Sequence, residues 1–232
     1  MSIEQLLARI DGLKKRIDSR RPLYERESKQ LNDYFRIGVT YTSNVLEGNS
    51  FTLTETKVLL EDGITVGGKP LKDIYEASGH ADTYDFILAA AKEDNLAITE
   101  DMILTLHRLF YHRLDAENAE VYHNVRVIIT GTDYRPPRPE QVPELVAQLV
   151  DNINQRRSSL HPVLLAATAH HRLVDIHPFL DGNGRTARLL MNLILVNQGY
   201  PVVSIPPIRR NIWTRFGFRN GRKMPATSYS TH

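Results

Sequence analysis

Apolar residues recur at helical spacing along most of the chain. In the first stretch they occupy positions 3, 6, 7, 10, 13 and 17, which is the pattern of one helix face. Similar periodicity predicts further helices over 24–45, 52–62, 70–91, 99–114, 143–154, 162–174 and 184–197. The last of these is apolar on almost every side from Leu189 to Val196, which is typical of a helix at the centre of a core.

Local signals refine two of these helices and add one strand. Gly48 and Gly63 each predict a helix end, and Glu55 is placed to cap the helix that starts near Thr52. Residues 125–129 form the one β-like run, and Gly131 predicts a turn behind it. The fold class is therefore mostly α, with one small β-hairpin.

Composition excludes several classes of protein. The chain has 232 residues, 41% hydrophobic and 24% charged, without a cysteine, so disulfides and thiolate metal sites are ruled out. No apolar run approaches the length of a membrane span, and we expect a cytoplasmic protein with no membrane partner. The net charge of +2 includes six basic residues and no acid after position 208, so it reports a basic tail rather than a nucleic-acid surface.

One twelve-residue segment, HPFLDGNGRTAR at 177–188, concentrates candidate chemistry. Gly182 and Gly184 leave backbone amides free to converge on an anion at the start of the following helix. Arg185 and Arg188 are three residues apart, so they share a helix face near that loop. Taken singly, the glycines would predict only a turn; together with two guanidinium groups they predict a polyphosphate site.

Two further side chains in this segment suit transfer chemistry. Asp181 offers hard oxygen ligands for Mg²⁺ held jointly with phosphate. His177 titrates near neutral pH and could accept a proton from an attacking hydroxyl. A histidine at a helix end could also be a simple cap.

The segment resembles the Fic family signature, His-Pro-Phe-x-Asp/Glu-Gly-Asn-Gly-Arg-x-x-Arg, at every specified position. The resemblance implies a Fic-type helical bundle with a hairpin flap, and transfer of AMP from ATP to a protein hydroxyl. It implies that His177 is the general base, Asp181 the Mg²⁺ ligand and Phe179 a buried anchor. The phosphates would be bound by the loop amides of Gly182, Asn183 and Gly184 and by Arg185 and Arg188.

Two other segments are similar to the family. Ile128, Ile129, Thr130 and Gly131 lie where Fic proteins carry the flap over the nucleotide, and the flap edge could bind a target protein. One departure is local: His123 stands where relatives often have Arg. The segment SNVLEGN at 43–49 matches the inhibitory motif, so the resemblance implies that Glu47, with Ser43, holds Arg188 in place of the γ-phosphate.

The resemblance divides the chain into an N-terminal helical region with the inhibitory helix (1–50), a Fic core (51–208) and an atypical basic tail (209–232). The tail departs from the family, and we interpret it as a truncated or frame-shifted end that could leave the adenine pocket incomplete and favour homo-oligomers. Three alternatives to AMP transfer stay open: an enzyme that also removes AMP, a non-catalytic nucleotide-binding module and, on the tail alone, a DNA-binding regulator. A relative that uses CDP-choline shares the signature, whereas Gly184-Arg185 argues against Doc-type kinase chemistry.

Overall fold

Helices account for all regular secondary structure in the part of the chain that a computed structural model describes, residues 1–65, 67–129 and 132–207. A single 3-10 turn, Pro139–Gln141, precedes α6. The helices are α1 (Ile3–Asp18), α2 (Glu25–Leu46), α3 (Leu53–Asp62), α4 (Leu71–Ala90), α5 (Glu100–Tyr111), α6 (Val142–Arg156), α7 (Pro162–Ile176) and α8 (Asn183–Asn197). All eight predicted helices are confirmed.

Local capping explains why the predicted helix ends are nearly correct. At the start of α3, Thr52 Oγ1 accepts a hydrogen bond from the amide of Glu55, and the Glu55 carboxylate accepts one from the amide of Thr52. At its end, Gly63 adopts a left-handed φ of 67°, and Gly48 does so at 96° just beyond α2. Each signal lies within a few residues of the boundary that it sets.

α8 is the central helix, as its apolar pattern predicts. Every residue from Arg185 to Leu195 is buried. α8 packs chiefly against α7 and α4, with α5 and α2 completing its surroundings. The side chain of its polar residue Asn192 is buried but keeps hydrogen-bonding partners, because it donates to the carbonyl of Val203 and accepts from the amide of Val203.

The predicted hairpin is not visible in the described residues. Residues 125–129 and 132–138 contain no strand, and Thr130 and Gly131, two of the predicted site residues, lie outside the described residues. The basic tail, 209–232, also lies outside them. Within the described ranges, no helix is long and apolar enough to cross a bilayer.

Candidate functional site

Three residues, Phe179, Gly182 and Asn183, determine the shape of the loop between α7 and α8. Gly182 has a left-handed φ of 80°, and a Cβ there would lie 2.4 Å from the Phe110 ring, so only glycine fits. Asn183 closes the loop on Phe179: its Oδ1 accepts from Phe179 N at 2.9 Å and its Nδ2 donates to Phe179 O at 2.8 Å. The buried Phe179 ring is fully enclosed, as an anchor requires.

The loop delivers the start of α8 to the site surface. α8 begins at Asn183, and the first amides of a helix have no intrahelical carbonyl to bind. Together with the helix dipole, they form a place for an anion. The predicted phosphate-binding positions Gly182, Asn183 and Gly184 are therefore contiguous at one helix end.

Arg188 is held by two residues at the C-terminal end of α2, Ser43 within the helix and Glu47 just after it. Its Nη2 contacts Glu47 Oε1 at 2.6 Å and donates to the Ser43 carbonyl at 3.0 Å, while its Nε donates to Ser43 Oγ at 2.8 Å. Burial lowers the pKa of Arg188, and the Glu47 carboxylate opposes that effect. Ser43 lies in the last turn of α2 and Glu47 caps the end of this helix, so the C-terminal end of α2 supplies both contacts.

The Glu47 carboxylate also lies against the amide end of α8. A Cβ at Gly184 would be 2.3 Å from Glu47 Oε1, which puts this oxygen in contact with the first turn of the helix. Glu47 thus occupies a position that the helix end and Arg188 both make favourable for an anion. The structure brings the predicted pair Glu47 and Arg188 together, with Ser43 and Gly184 in contact with it.

Arg185 points to a different partner, although it lies only three residues before Arg188. It is 1% exposed, and its Nη1 contacts Glu76 Oε1 on α4 at 2.7 Å. Its Nη2 lies 3.5 Å from Asp181 Oδ1, and its guanidinium packs over Phe110. Arg188 therefore contacts Ser43 and Glu47 at the end of α2, whereas Arg185 contacts Glu76 on α4.

Glu76 is a site residue that the sequence did not reveal. It is 3% exposed, and besides Arg185 it accepts a hydrogen bond from Asn49 Nδ2 at 3.0 Å. Asn49 also donates to the carbonyl of Asp73, so the turn after Glu47 is fastened to α4. Glu76 consequently links the turn after α2, through Asn49, to the first turn of α8, through Arg185.

His177 ends α7 with the left-handed φ of 53°, a conformation uncommon outside glycine. Its Nδ1 lies 3.4 Å from the Val174 carbonyl, which can only accept a hydrogen bond. The proton is therefore assigned to Nδ1, which leaves the Nε2 lone pair available. Burial lowers the pKa of His177 below its ordinary value, so the ring is neutral near pH 7 and suited to accept a proton.

Asp181 fits a magnesium ligand that works with phosphate oxygens. Its side chain is 48% exposed, and its Oδ1 accepts from Gly182 N at 2.6 Å. Among the residues that the structure describes, no cluster of three or more histidine and acidic side chains could hold a metal alone. A cation here would need further oxygen ligands, and a triphosphate supplies them.

The segment in which the flap is predicted is attached beside the loop by two hydrogen bonds. The amide of His123 donates to the Pro178 carbonyl at 3.0 Å, and Tyr134 donates to the Asp175 carbonyl at 3.0 Å. Between these attachments, Ile128 is 75% exposed and Ile129 is partly exposed. The segment is therefore fastened beside His177 at both sides of its predicted turn.

A family model and curated relatives match parts of this chain. A family model described as Fic/DOC family matches residues 97–195. A protein named "Protein adenylyltransferase Fic" from Drosophila willistoni is 40% identical over 177 residues, which are 76% of this chain and 35% of that protein. The chain thus spans about a third of the length of the curated relatives it matches.

Solved structures give the same result over most of the chain. Fic-1 from C. elegans is 28% identical with a TM-score of 0.80, over 91% of this chain and 62% of that one. A Fic domain containing signaling protein from Bacteroides thetaiotaomicron is 35% identical with a TM-score of 0.82, and the match covers 89% of this chain and 79% of that one. The match to this Bacteroides protein covers most of both chains, and the family model includes the loop between α7 and α8. The chain therefore belongs to the Fic/DOC family.

Proposed function

We propose that this chain transfers AMP from ATP to a hydroxyl group of a protein, and that Glu47 restrains the reaction. The observation that carries the proposal is the Glu47 carboxylate, which contacts Arg188 at 2.6 Å and lies against the amide end of α8. A carboxylate there mimics a terminal phosphate. The site is thus suited to a polyphosphate, and its outermost position is already filled.

The reaction balances with groups of the site. The target hydroxyl oxygen forms a bond to the α-phosphorus of ATP, the bond from that phosphorus to the bridging oxygen breaks, and pyrophosphate leaves. The hydroxyl proton passes to Nε2 of His177. Magnesium, held by Asp181 and phosphate oxygens, would offset the charge of the pyrophosphate. The amides of Asn183 and Gly184 and, once Glu47 has moved, Arg188 bind the outer phosphates.

The target protein is proposed to bind along the flap. Ile128 and Val125 are 75% and 53% exposed, and the two attachments of the segment keep it beside His177. An extended target segment could pair with this edge and bring its hydroxyl to the imidazole.

The test uses ATP labelled at either the α- or the γ-phosphate, with the Glu47→Gly variant and a cell lysate as the source of targets. We expect protein-bound label from the α-phosphate only, because AMP is transferred and pyrophosphate released. Adding His177→Ala should lower the rate by about 10²–10⁴-fold through loss of the base. Glu93→Gly, at an exposed carboxylate after α4, is the matched control and should behave as the unsubstituted chain. Retention of γ-label, or ATP binding without any transfer, would refute AMP transfer.

Removal of AMP from a modified protein is a second candidate, favoured by the exposure of Glu47. Its side chain is 34% exposed while its carboxylate reaches the site, so it could orient a water molecule for the reverse attack. In that case the unsubstituted chain would release AMP from a target modified beforehand, and Glu47→Gly would not.

A further inference from the structure

His107 is a buried histidine on α5 that the proposed chemistry does not use. Its side chain is completely buried, and its ring stacks flat on Phe179 with centroids 3.8 Å apart and an interplanar angle of 2°. Both ring nitrogens have partners. Nδ1 lies 3.1 Å from the amide nitrogen of Glu120, and Nε2 lies 3.1 Å from the carbonyl oxygen of Asp181.

These two partners determine the tautomer of His107. A backbone amide can only donate and a carbonyl can only accept. Nδ1 therefore carries the lone pair and Nε2 carries the proton, which is donated to Asp181. A single neutral ring satisfies both contacts, whereas the other tautomer would satisfy neither.

The bond to Asp181 acts on a peptide group that is central to the loop. The carbonyl of Asp181 and the amide of Gly182 belong to one planar unit, so fixing the oxygen fixes the direction of that N–H. The same N–H donates to Asp181 Oδ1 at 2.6 Å. The hydrogen bond from His107 thereby orients the Gly182 amide, and this amide in turn holds the carboxylate of Asp181.

The bond to Glu120 connects the loop to the flap. Glu120 has a left-handed φ of 57° and comes three residues before His123, whose amide donates to Pro178. His107 thus joins α5, the phosphate loop and the segment that leads into the flap.

We propose that His107 is a positioning residue for the loop between α7 and α8, and that it presets the carboxylate of Asp181, through the amide of Gly182, for magnesium-bound nucleotide. This role deepens the proposed function and rests on it for its catalytic meaning. His107 itself contacts no substrate, so its effect passes through the loop.

Two substitutions separate its two hydrogen bonds. His107→Gln places an amide nitrogen near the position of Nε2, so it can still donate to Asp181. His107→Asn places an amide oxygen near the position of Nδ1, where it can still accept a hydrogen bond from the amide of Glu120, but this shorter side chain cannot reach Asp181. His112→Asn, at the exposed position after α5, is the control for substitution at the end of this helix.

The readout is ATP binding by calorimetry in the Glu47→Gly background, as a function of Mg²⁺ concentration. We expect His107→Asn to raise the Mg²⁺ concentration for half-maximal binding by about 10-fold or more, as is usual when a partner of a metal ligand is lost. His107→Gln and His112→Asn should shift it by less than about threefold, since the donor to Asp181 is kept. Magnesium-free ATP binding should change little in any of these variants, whereas general unfolding would lower both kinds of binding together.

Equal shifts for His107→Asn and His107→Gln, or no shift for either, would overturn the assignment. Should His107→Asn not fold, ¹⁵N NMR of the unsubstituted chain decides the question: the proton must lie on Nε2, and a proton on Nδ1 excludes the contact with Asp181. The two proposals fail separately. AMP transfer by Glu47→Gly without the magnesium shift refutes the role of His107 alone, whereas the shift without any transfer refutes the proposed function alone.

Discussion

Replacing Glu76 by glutamine tests how much the buried ion pair between Glu76 on α4 and Arg185 on α8 stabilises the fold. Glu76 and Arg185 are 3% and 1% exposed and 2.7 Å apart, so Glu76→Gln leaves a buried guanidinium without its counter-charge. Breaking such a pair from one side costs about 3–5 kcal/mol. Asp181, 3.5 Å away, and the remaining amide oxygen offset part of this, so we expect a loss near the lower bound, about 3 kcal/mol.

Thermal and urea denaturation measure this loss. A decrease of about 3 kcal/mol corresponds to a Tm lower by about 6–12 °C in a domain of this size. Glu61→Gln is the matched control, because its pairing with Lys57 is exposed and worth less than about 1 kcal/mol. Adding Arg185→Met to Glu76→Gln should restore part of the stability, since it removes the orphaned charge. A loss below about 1 kcal/mol, or strict additivity of the two substitutions, would show that the pair is not the buried counter-charge described here.

Three other substitutions or conditions probe the packing. Burial lowers the pKa of His80 to about 3, so between about pH 3 and pH 6.5 the unfolded chain binds one more proton at this residue than the folded chain. His80 should therefore lower the free energy of unfolding by about 1.4 kcal/mol per pH unit between pH 6 and pH 4, and in urea unfolding His80→Gln should reduce the slope by about that amount. Gly79→Ala should lower the free energy of unfolding by about 1–3 kcal/mol, because its Cβ would lie 2.6 Å from the Phe110 carbonyl oxygen. Gly38→Ala has open space around its Cβ and should raise that free energy by about 0.5–1 kcal/mol. Equal effects of the two substitutions would contradict the close approach of α4 and α5. Glu120→Gly should raise the free energy of unfolding, measured in urea, by about 0.5–1 kcal/mol, because glycine adopts this positive φ without strain. A clear loss of stability would show that the side chain matters more than the backbone.

The helices could be predicted because their signals are local. Periodic apolar positions identify each helix, and caps such as Thr52 and Gly63 set its ends from neighbouring residues. The phosphate loop could be predicted for the same reason, since its glycines and arginines fall within one short segment. The pairing of Glu47 with Arg188 spans 141 positions, and only resemblance to a family suggested it.

The polar stripe of α4 shows why the rest could not be predicted. Asp73, Glu76, His80 and Thr83 recur at helical spacing and would ordinarily indicate a solvent-exposed face, yet all four are buried. Their partners come from distant segments, such as Arg185 for Glu76 and Thr40 for His80. Periodicity identifies a polar face, but it cannot tell water from a buried hydrogen-bonding partner. The partners of His107 on α5, the Asp181 carbonyl and the Glu120 amide, likewise cannot be read from periodicity.

Glu47 contacts Arg188, and we propose that its carboxylate fills the position of the outermost phosphate. The most direct test compares AMP transfer from α-labelled ATP by the unsubstituted chain and by Glu47→Gly under identical conditions. The contacts of Glu47 predict a rate at least about tenfold higher for Glu47→Gly, because loss of a charged hydrogen bond of about 1.5–3 kcal/mol frees Arg188 for the nucleotide. Equal rates of transfer by the two proteins would contradict the claim.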